Sequence, residues 1–288
     1  MRFSVELPID VPEDIGACAA ILDESGVDAC FVTDHPAPPR AWLETGGHIT
    51  VDPFVALATA AAATRNLRVH THCLIPAYRD PLLSAKAVAT LDAVSGGRVM
   101  LGVAVGYLEA EFAALGVPYG ERITRFDAAL VAMKRAWAGT DEATVVLPAP
   151  VQRPHPPIWV GGNSTAAMRR AIEHGAGWAP FPASTRTAAA VDTNSIADVD
   201  SLARAIARFR TMAADAGRDP GAFDICFTPF SHPAHKDLVD ADVFVAEARA
   251  LADAGVTWLA FHLPKPTLGE FRRAVETYAT EAFPTLRH

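Results

Sequence analysis

Residues 85–106 read AKAVATLDAVSGGRVMLGVAVG: a helical segment that runs into Ser95-Gly96-Gly97, then an apolar strand, Arg98–Val105, that stops at Gly106. A helix, a glycine pair and a continuous apolar strand are the joint of an α/β protein with a buried parallel strand. In such folds the chemistry sits where strands end.

The same alternation extends in both directions. Toward the N-terminus the pattern predicts strands at Phe3–Ile9, Ala29–Thr33 and Leu67–Ile75, and helices at Asp14–Ser25, after Asp52-Pro53, and at Pro81–Val94. Asp52 suits an N-cap and Pro53 a first helical position. Toward the C-terminus it predicts helices at Arg122–Ala138, Ser164–His174, Asp198–Ala216, Asp240–Ala254 and Leu268–Thr280. The strands there are Ile158–Val160, Gly177–Phe181, Phe223–Phe230 and Val256–His262. That is a βα count of eight, in about the ~250 residues plus insertions of a (β/α)8 barrel. A doubly wound open sheet shares the alternation, and the count favours the barrel. The chain reads as one domain, 1–288, with excursions near 107–121, 139–157 and 182–197; the second carries five prolines between Pro148 and Pro157.

Composition narrows the function classes. Half of the 288 residues are hydrophobic and 20% are charged, which is ordinary for a globular chain with a large core. The net charge of −8, with no basic block, disfavours a nucleic-acid partner. Four cysteines, widely spaced and without a C-x-x-C pair, read as thiols of a reducing compartment. The N-terminus lacks a charged segment followed by a long apolar run, and no stretch approaches ~18 uninterrupted apolar residues. The expected location is the cytoplasm.

Strand ends give the candidate site: Asp34-His35, His72-Cys73, Gly106-Tyr107, Gly161-Gly162-Asn163-Ser164, Trp178 and His262. Histidine suits proton transfer near neutral pH. His35 opens an irregular loop, where it reads either as a proton-handling residue or as a partner for Asp34. His70 and His72 lie two apart on one strand, so both point to one side; they read as a metal pair or as two histidines inside the barrel. Gly161–Ser164 joins a strand to a helix, an arrangement that lets an anion approach backbone N–H groups or simply makes a turn. Trp42 and Trp178 could wall a planar ligand or belong to core and rim.

Three segments resemble the luciferase-like monooxygenase superfamily, in particular its branch that uses the deazaflavin coenzyme F420: VTDHP at Val32–Pro36, TLDAVSGGRVMLGVAVGYLEAEFAALGVPYGERITRFDAAL at Thr90–Leu130, and PPIWVGGNST at Pro156–Thr165. The resemblance spans nearly the whole chain. It implies a (β/α)8 TIM barrel with insertions, often a homodimer, with the coenzyme across the C-terminal mouth. The segment HTHCLIPAYR, His70–Arg79, would carry a bulge with a non-proline cis peptide at His72–Cys73 that backs the ring, although relatives usually carry a β-branched residue where Cys73 stands. Asp34 and His35 would sit over the deazaflavin near the carbon that carries the hydride. Gly161, Gly162, Asn163, Ser164 and Thr165 would hold the coenzyme phosphate through backbone N–H groups, and Gly106 would let the backbone approach the ring. One departure stands out: where glucose-6-phosphate-oxidising relatives place an acidic glutamate, this chain has Tyr107.

The function implied is hydride transfer between F420 and an unidentified small organic substrate. The alternatives are an FMN-dependent monooxygenase fed by a separate flavin reductase, a metal-dependent hydrolase built on His70 and His72, and a non-catalytic coenzyme-binding protein.

Overall fold

The computed structural model describes residues 1–8, 12–140, 144–232, 239–264 and 267–287. Strands β1 (Arg2–Glu6), β2 (Ala29–Val32), β3 (Arg68–Leu74), β4 (Val99–Val103), β5 (Ile158–Gly161), β6 (Gly177–Ala179), β7 (Asp224–Phe227) and β8 (Trp258–Phe261) pair parallel in sequence order. β8 returns to β1, with Arg2 opposite Trp258 and Val5 opposite Phe261, and closes the barrel. The expected (β/α)8 architecture is therefore present. Ile9, at the far end of the first expected strand, lies outside the described residues.

The helices are α1 (Ile15–Glu24), α2 (Arg40–Glu44), α3 (Pro53–Ala63), α4 (Pro81–Ser95), α5 (Glu109–Ala114), α6 (Arg122–Ala138), α7 (Thr165–His174), α8 (Thr185–Ala190), α9 (Val199–Asp215), α10 (Ala241–Ala254), α11 (Leu268–Thr277) and α12 (Phe283–Leu286). The long ones match the periodic segments. The short helices α2, α5, α8 and α12 were not legible as separate elements, because one or two turns carry too few periodic positions to stand out. The loop signals held where their chemistry is local. Asp52 Oδ1 accepts from the N–H groups of Phe54 and Val55 at 2.9 and 3.1 Å and caps α3, with Pro53 at its first turn. Gly96 ends α4 in the left-handed region at φ 67°.

Strand alternation builds two cores. Phe31, Met100, Trp159, Cys226 and Trp258 turn inward and fill the barrel. Val5, Cys30, Val69, Leu101, Val160 and Leu259 turn outward and pack under the helices. Trp159 fits because its neighbour on β6 is Gly177, where a Cβ would lie 2.4 Å from the indole. At the N-terminal end Arg98 fastens the layers, donating to Ser95 O, Ala61 O and Thr64 Oγ1 at 2.6 to 2.8 Å. The excursion at 182–197 contains α8 and closes on itself through an antiparallel bridge between Ala183 and Ile196. That of 139–157 carries no helix or strand among its described residues.

Candidate active site

The mouth of the barrel is shaped by an irregularity in β3. Its register on β4 holds at Thr71–Leu101, shifts, and resumes at Leu74–Val103. His72 and Cys73 occupy the shift, and the peptide bond between them is cis. The bulge needs Gly102: a Cβ there would lie 2.2 Å from the Thr71 carbonyl oxygen. Thr71 Oγ1 in turn donates to Gly102 O at 2.6 Å. The Cys73 sulfur fills the space left by a second glycine, 2.9 Å from where a Cβ on Gly161 would stand. Burial pushes this thiol up to about 12, so it is protonated at neutral pH.

His70 and His72 share the inner side of β3, with ring centroids 5.6 Å apart. His70 is fully buried; its Nε2 meets Ser4 Oγ at 2.7 Å and its Nδ1 faces Thr71 O at 3.1 Å. Both of its nitrogens therefore have protein partners. Among the described residues no group of three or more His, Cys, Asp or Glu side chains could hold a metal ion. His72 differs: its Nδ1 is shielded from solvent yet has no hydrogen-bond partner among the described residues. Burial, reinforced by the nearby His262, lowers the His72 ring to about 4 against the opposing pull of Glu6. Behind it, Glu6 is buried and pairs through Oε2 with His262 Nδ1 at 2.6 Å.

At the end of the neighbouring strand β2, His35 Nδ1 lies 2.9 Å from Glu111 Oε2. Glu111 comes from α5 and is fully buried. Its Oε2 also accepts from Tyr78 Oη at 2.9 Å, and its Oε1 accepts from the Ala37 N–H at 2.9 Å. Burial alone would raise this carboxyl, but the three donors outweigh it and hold it below the usual carboxylate range. Trp42 and His48 pack on the His35 ring with centroids at 4.7 and 5.2 Å, and Tyr107 meets it edge-on at 6.0 Å. Asp34, one residue earlier, is engaged elsewhere. Its carboxylate receives Arg79 Nη1 at 2.5 Å, Arg79 Nη2 at 2.8 Å and the Ile75 N–H at 3.0 Å.

The β5–α7 turn is tied to the third excursion. Asn163 is buried; its side-chain amide donates to Phe181 O and Asn194 O at 2.9 and 3.0 Å and accepts from the Phe181 N–H at 2.9 Å. The Gly162 N–H donates to Ala179 O and the Asn163 N–H to Thr193 Oγ1, both at 3.2 Å. Those two N–H groups are engaged within the protein. The start of α7, capped by Ser164 Oγ on Ala167 N at 3.1 Å, presents Ser164 and Thr165.

Protein packing accounts for two further residues singled out from sequence, Gly106 and Trp178. Gly106, at φ 85°, has its missing side chain replaced by Phe112 and Ile75, which would lie 2.9 and 3.0 Å from a Cβ. Its requirement for glycine is met by protein packing. Trp178 faces the helix layer, stacked on Phe209 at 5.2 Å, with its Nε1 donating to Gly162 O at 2.7 Å. It is no wall of the mouth. Glu111 and Glu6 were missed from sequence. Glu6 had a readable signal, a carboxylate on a strand whose alternate positions, Phe3, Val5 and Leu7, are apolar. Glu111 had none, because its burial depends on partners at positions 35, 37 and 78.

The chain is similar to several known proteins. F420-dependent glucose-6-phosphate dehydrogenase of Beutenbergia cavernae is 29% identical, over 96% of this chain and 94% of that protein. An F420-dependent secondary alcohol dehydrogenase, solved with an F420–acetone adduct, superposes with a TM-score of 0.77 at 16% identity over 100% of both chains. The FMN-bound oxygenating component of 3,6-diketocamphane monooxygenase from Pseudomonas putida does so with a TM-score of 0.75 at 14% identity, covering 99% of this chain and 98% of its own. The two structural likenesses establish the fold. The model of the luciferase-like monooxygenase family matches residues 1–279, and this chain belongs to that family.

Proposed function

We propose that this protein is a coenzyme F420-dependent oxidoreductase that transfers a hydride between the deazaflavin and a small organic substrate. The observation that carries the reading is the β3 bulge at the barrel mouth, backed by His72, whose shielded Nδ1 has no protein partner among the described residues. A flat heterocycle with polar edges fits against such a surface: it covers the bulge and offers a hydrogen-bonding edge to an orphaned ring nitrogen. The F420-dependent relative aligned over 96% of the chain favours a deazaflavin over FMN.

In this reading His72, Cys73, Gly106 and Tyr107 would hold the coenzyme ring. The Ser164 and Thr165 N–H groups at the start of α7 take the phosphate, since those of Gly162 and Asn163 already have acceptors. The bound coenzyme supplies hydride transfer, which no side chain of the protein can perform. The chain's own residues do the rest. His35 handles a proton at its Nε2. Asp34, committed to Arg79 and Ile75, holds the β2 end against the loop after β3 and acts as a positioning residue. Trp42, His48 and Tyr107 wall the space around His35 and limit water there. The whole chain works as one barrel domain, in a homodimer and in the cytoplasm.

The FMN-bound neighbour of the same fold supports a second reading, an FMN-dependent monooxygenase served by a separate reductase. Turnover separates the two. Incubation with F420, in either redox state, and a panel of small alcohols, aldehydes and enones is expected to change the coenzyme's redox state without oxygen uptake. Oxygen uptake with reduced FMN, and none of the deazaflavin chemistry, would establish the second reading instead.

A further inference from the structure

We infer that Glu111 is a positioning residue for His35: it holds the imidazole in the Nδ1–H tautomer, so that Nε2 is the ring atom left to accept a proton in the mouth. An ionised carboxylate can only accept hydrogen bonds. Glu111 Oε2, 2.9 Å from His35 Nδ1, therefore requires a hydrogen on Nδ1. The other two donors to the same carboxylate, Tyr78 Oη and the Ala37 N–H, keep it ionised and fixed in place. The remaining ring nitrogen, Nε2, has no hydrogen-bond partner among the described residues, and the side chain keeps 11% of its surface exposed. This is the division of labour of a carboxylate–imidazole pair in acid–base catalysis: the carboxylate sets tautomer and orientation, and the far nitrogen meets the ligand.

The environment supports this assignment. The ring is met by Trp42 and His48 from the segment that His35 opens, by Tyr107 after β4, and by Glu111, whose carboxylate also accepts from Tyr78 Oη. The adjacent Asp34 is neutralised by Arg79. Glu111 is thus the one carboxylate bonded to the ring among the described residues. Its bond to Ala37 N ties the same carboxylate to the backbone two residues beyond His35, so ring and loop are set together.

That Nε2 then serves the coenzyme reaction rests on the function proposed above; the tautomer itself does not. The test is ring-nitrogen NMR on the 15N-histidine-labelled full chain without coenzyme, with His35 assigned through the His35→Asn variant. The neutral His35 ring is expected to be Nδ1–H, against the usual preference of free histidine for Nε2–H. Glu111→Gln, which keeps an acceptor oxygen, should retain Nδ1–H. Glu111→Ala should move most of the population to Nε2–H, with circular dichroism confirming that the fold persists. A wild-type ring in the Nε2–H form overturns the assignment, whether or not the alanine variant folds. So does an alanine variant that folds and stays Nδ1–H. A parallel fluorescence titration of the wild type with F420 keeps the two claims apart: absence of binding defeats the proposed function and leaves the tautomer result intact.

Discussion

Arg79 grips Asp34 with both guanidinium nitrogens, at 2.5 and 2.8 Å, and so joins the end of β2 to the loop that leaves β3. The Asp34 side chain is 1% exposed and that of Arg79 is 21% exposed, so the pair is largely removed from water. The two loops that carry His35 and the His72 bulge are therefore one mechanical unit.

Breaking that pair from the cationic side leaves a buried carboxylate without its counter-charge. Arg79→Leu is expected to cost about 3–5 kcal/mol in urea unfolding, on the scale of uncompensated buried charges. Arg79→Lys keeps the charge but loses the two-pronged geometry, and should cost less. A change below about 1 kcal/mol for the leucine variant would show that the pair does not hold the mouth together.

Gly102 and Gly161 make room for the bulge in different ways, and substitution should separate them. Gly102→Ala drives a methyl group against backbone, the Thr71 carbonyl, and is expected to lower the melting temperature and weaken coenzyme binding together. Gly161→Ala drives it against the Cys73 sulfur, a side chain that can be removed. The double variant Gly161→Ala/Cys73→Ala should recover much of the loss, with a coupling of about 0.5–3 kcal/mol in a double-mutant cycle. Simple additivity would place the two side chains out of contact.

Asn163 is the knot between the β5–α7 turn and the segment 181–194. Asn163→Ala leaves two carbonyls and one N–H without their partner, each worth about 1–3 kcal/mol when buried. The expected result is faster amide hydrogen exchange across 181–194 with little change at β1 or β2. Uniform acceleration across the barrel would contradict a local role.

Acid should destabilise the barrel from within. Burial lowers His70, His72 and His232 to about 3, 4 and 4 against an ordinary 6.5, and a second imidazole nearby, His72 for His70 and His262 for the other two, opposes protonation further. As pH falls below 6.5 the unfolded chain takes up these protons and the native chain does not. Stability is therefore lost on acidification from about pH 6.5 down to about 4 for His72 and His232 and about 3 for His70, by up to about 1.4 kcal/mol per pH unit for each histidine. Urea midpoints measured from about pH 7.5 to 5 should fall, and His70→Asn should flatten the slope. A profile flat over that range would mean that these rings protonate freely in the native state.

The barrel was legible because its information is periodic and local. Eight apolar strands, the Asp52-Pro53 cap and the Gly96 stop each declare themselves within a few residues. The rims were legible as strand ends, which is how His35, His72 and His262 were singled out. What could not be read was the pairing across the mouth. Glu111 looks like one more acid in a short helical stretch until Ala37, Tyr78 and His35 converge on it. Trp178 looks like a mouth residue until the strand parity turns it onto Phe209. Gly106 is a glycine for Phe112 and Ile75, a reason that appears only when α5 packs back over the strand end.

Binding of the two coenzymes to the apo protein, followed by fluorescence in parallel titrations, decides between the deazaflavin and the flavin. F420 is expected to bind saturably and stoichiometrically in the micromolar range, more weakly in Gly102→Ala, with FMN binding much less tightly. Tight FMN binding without affinity for the deazaflavin would contradict it.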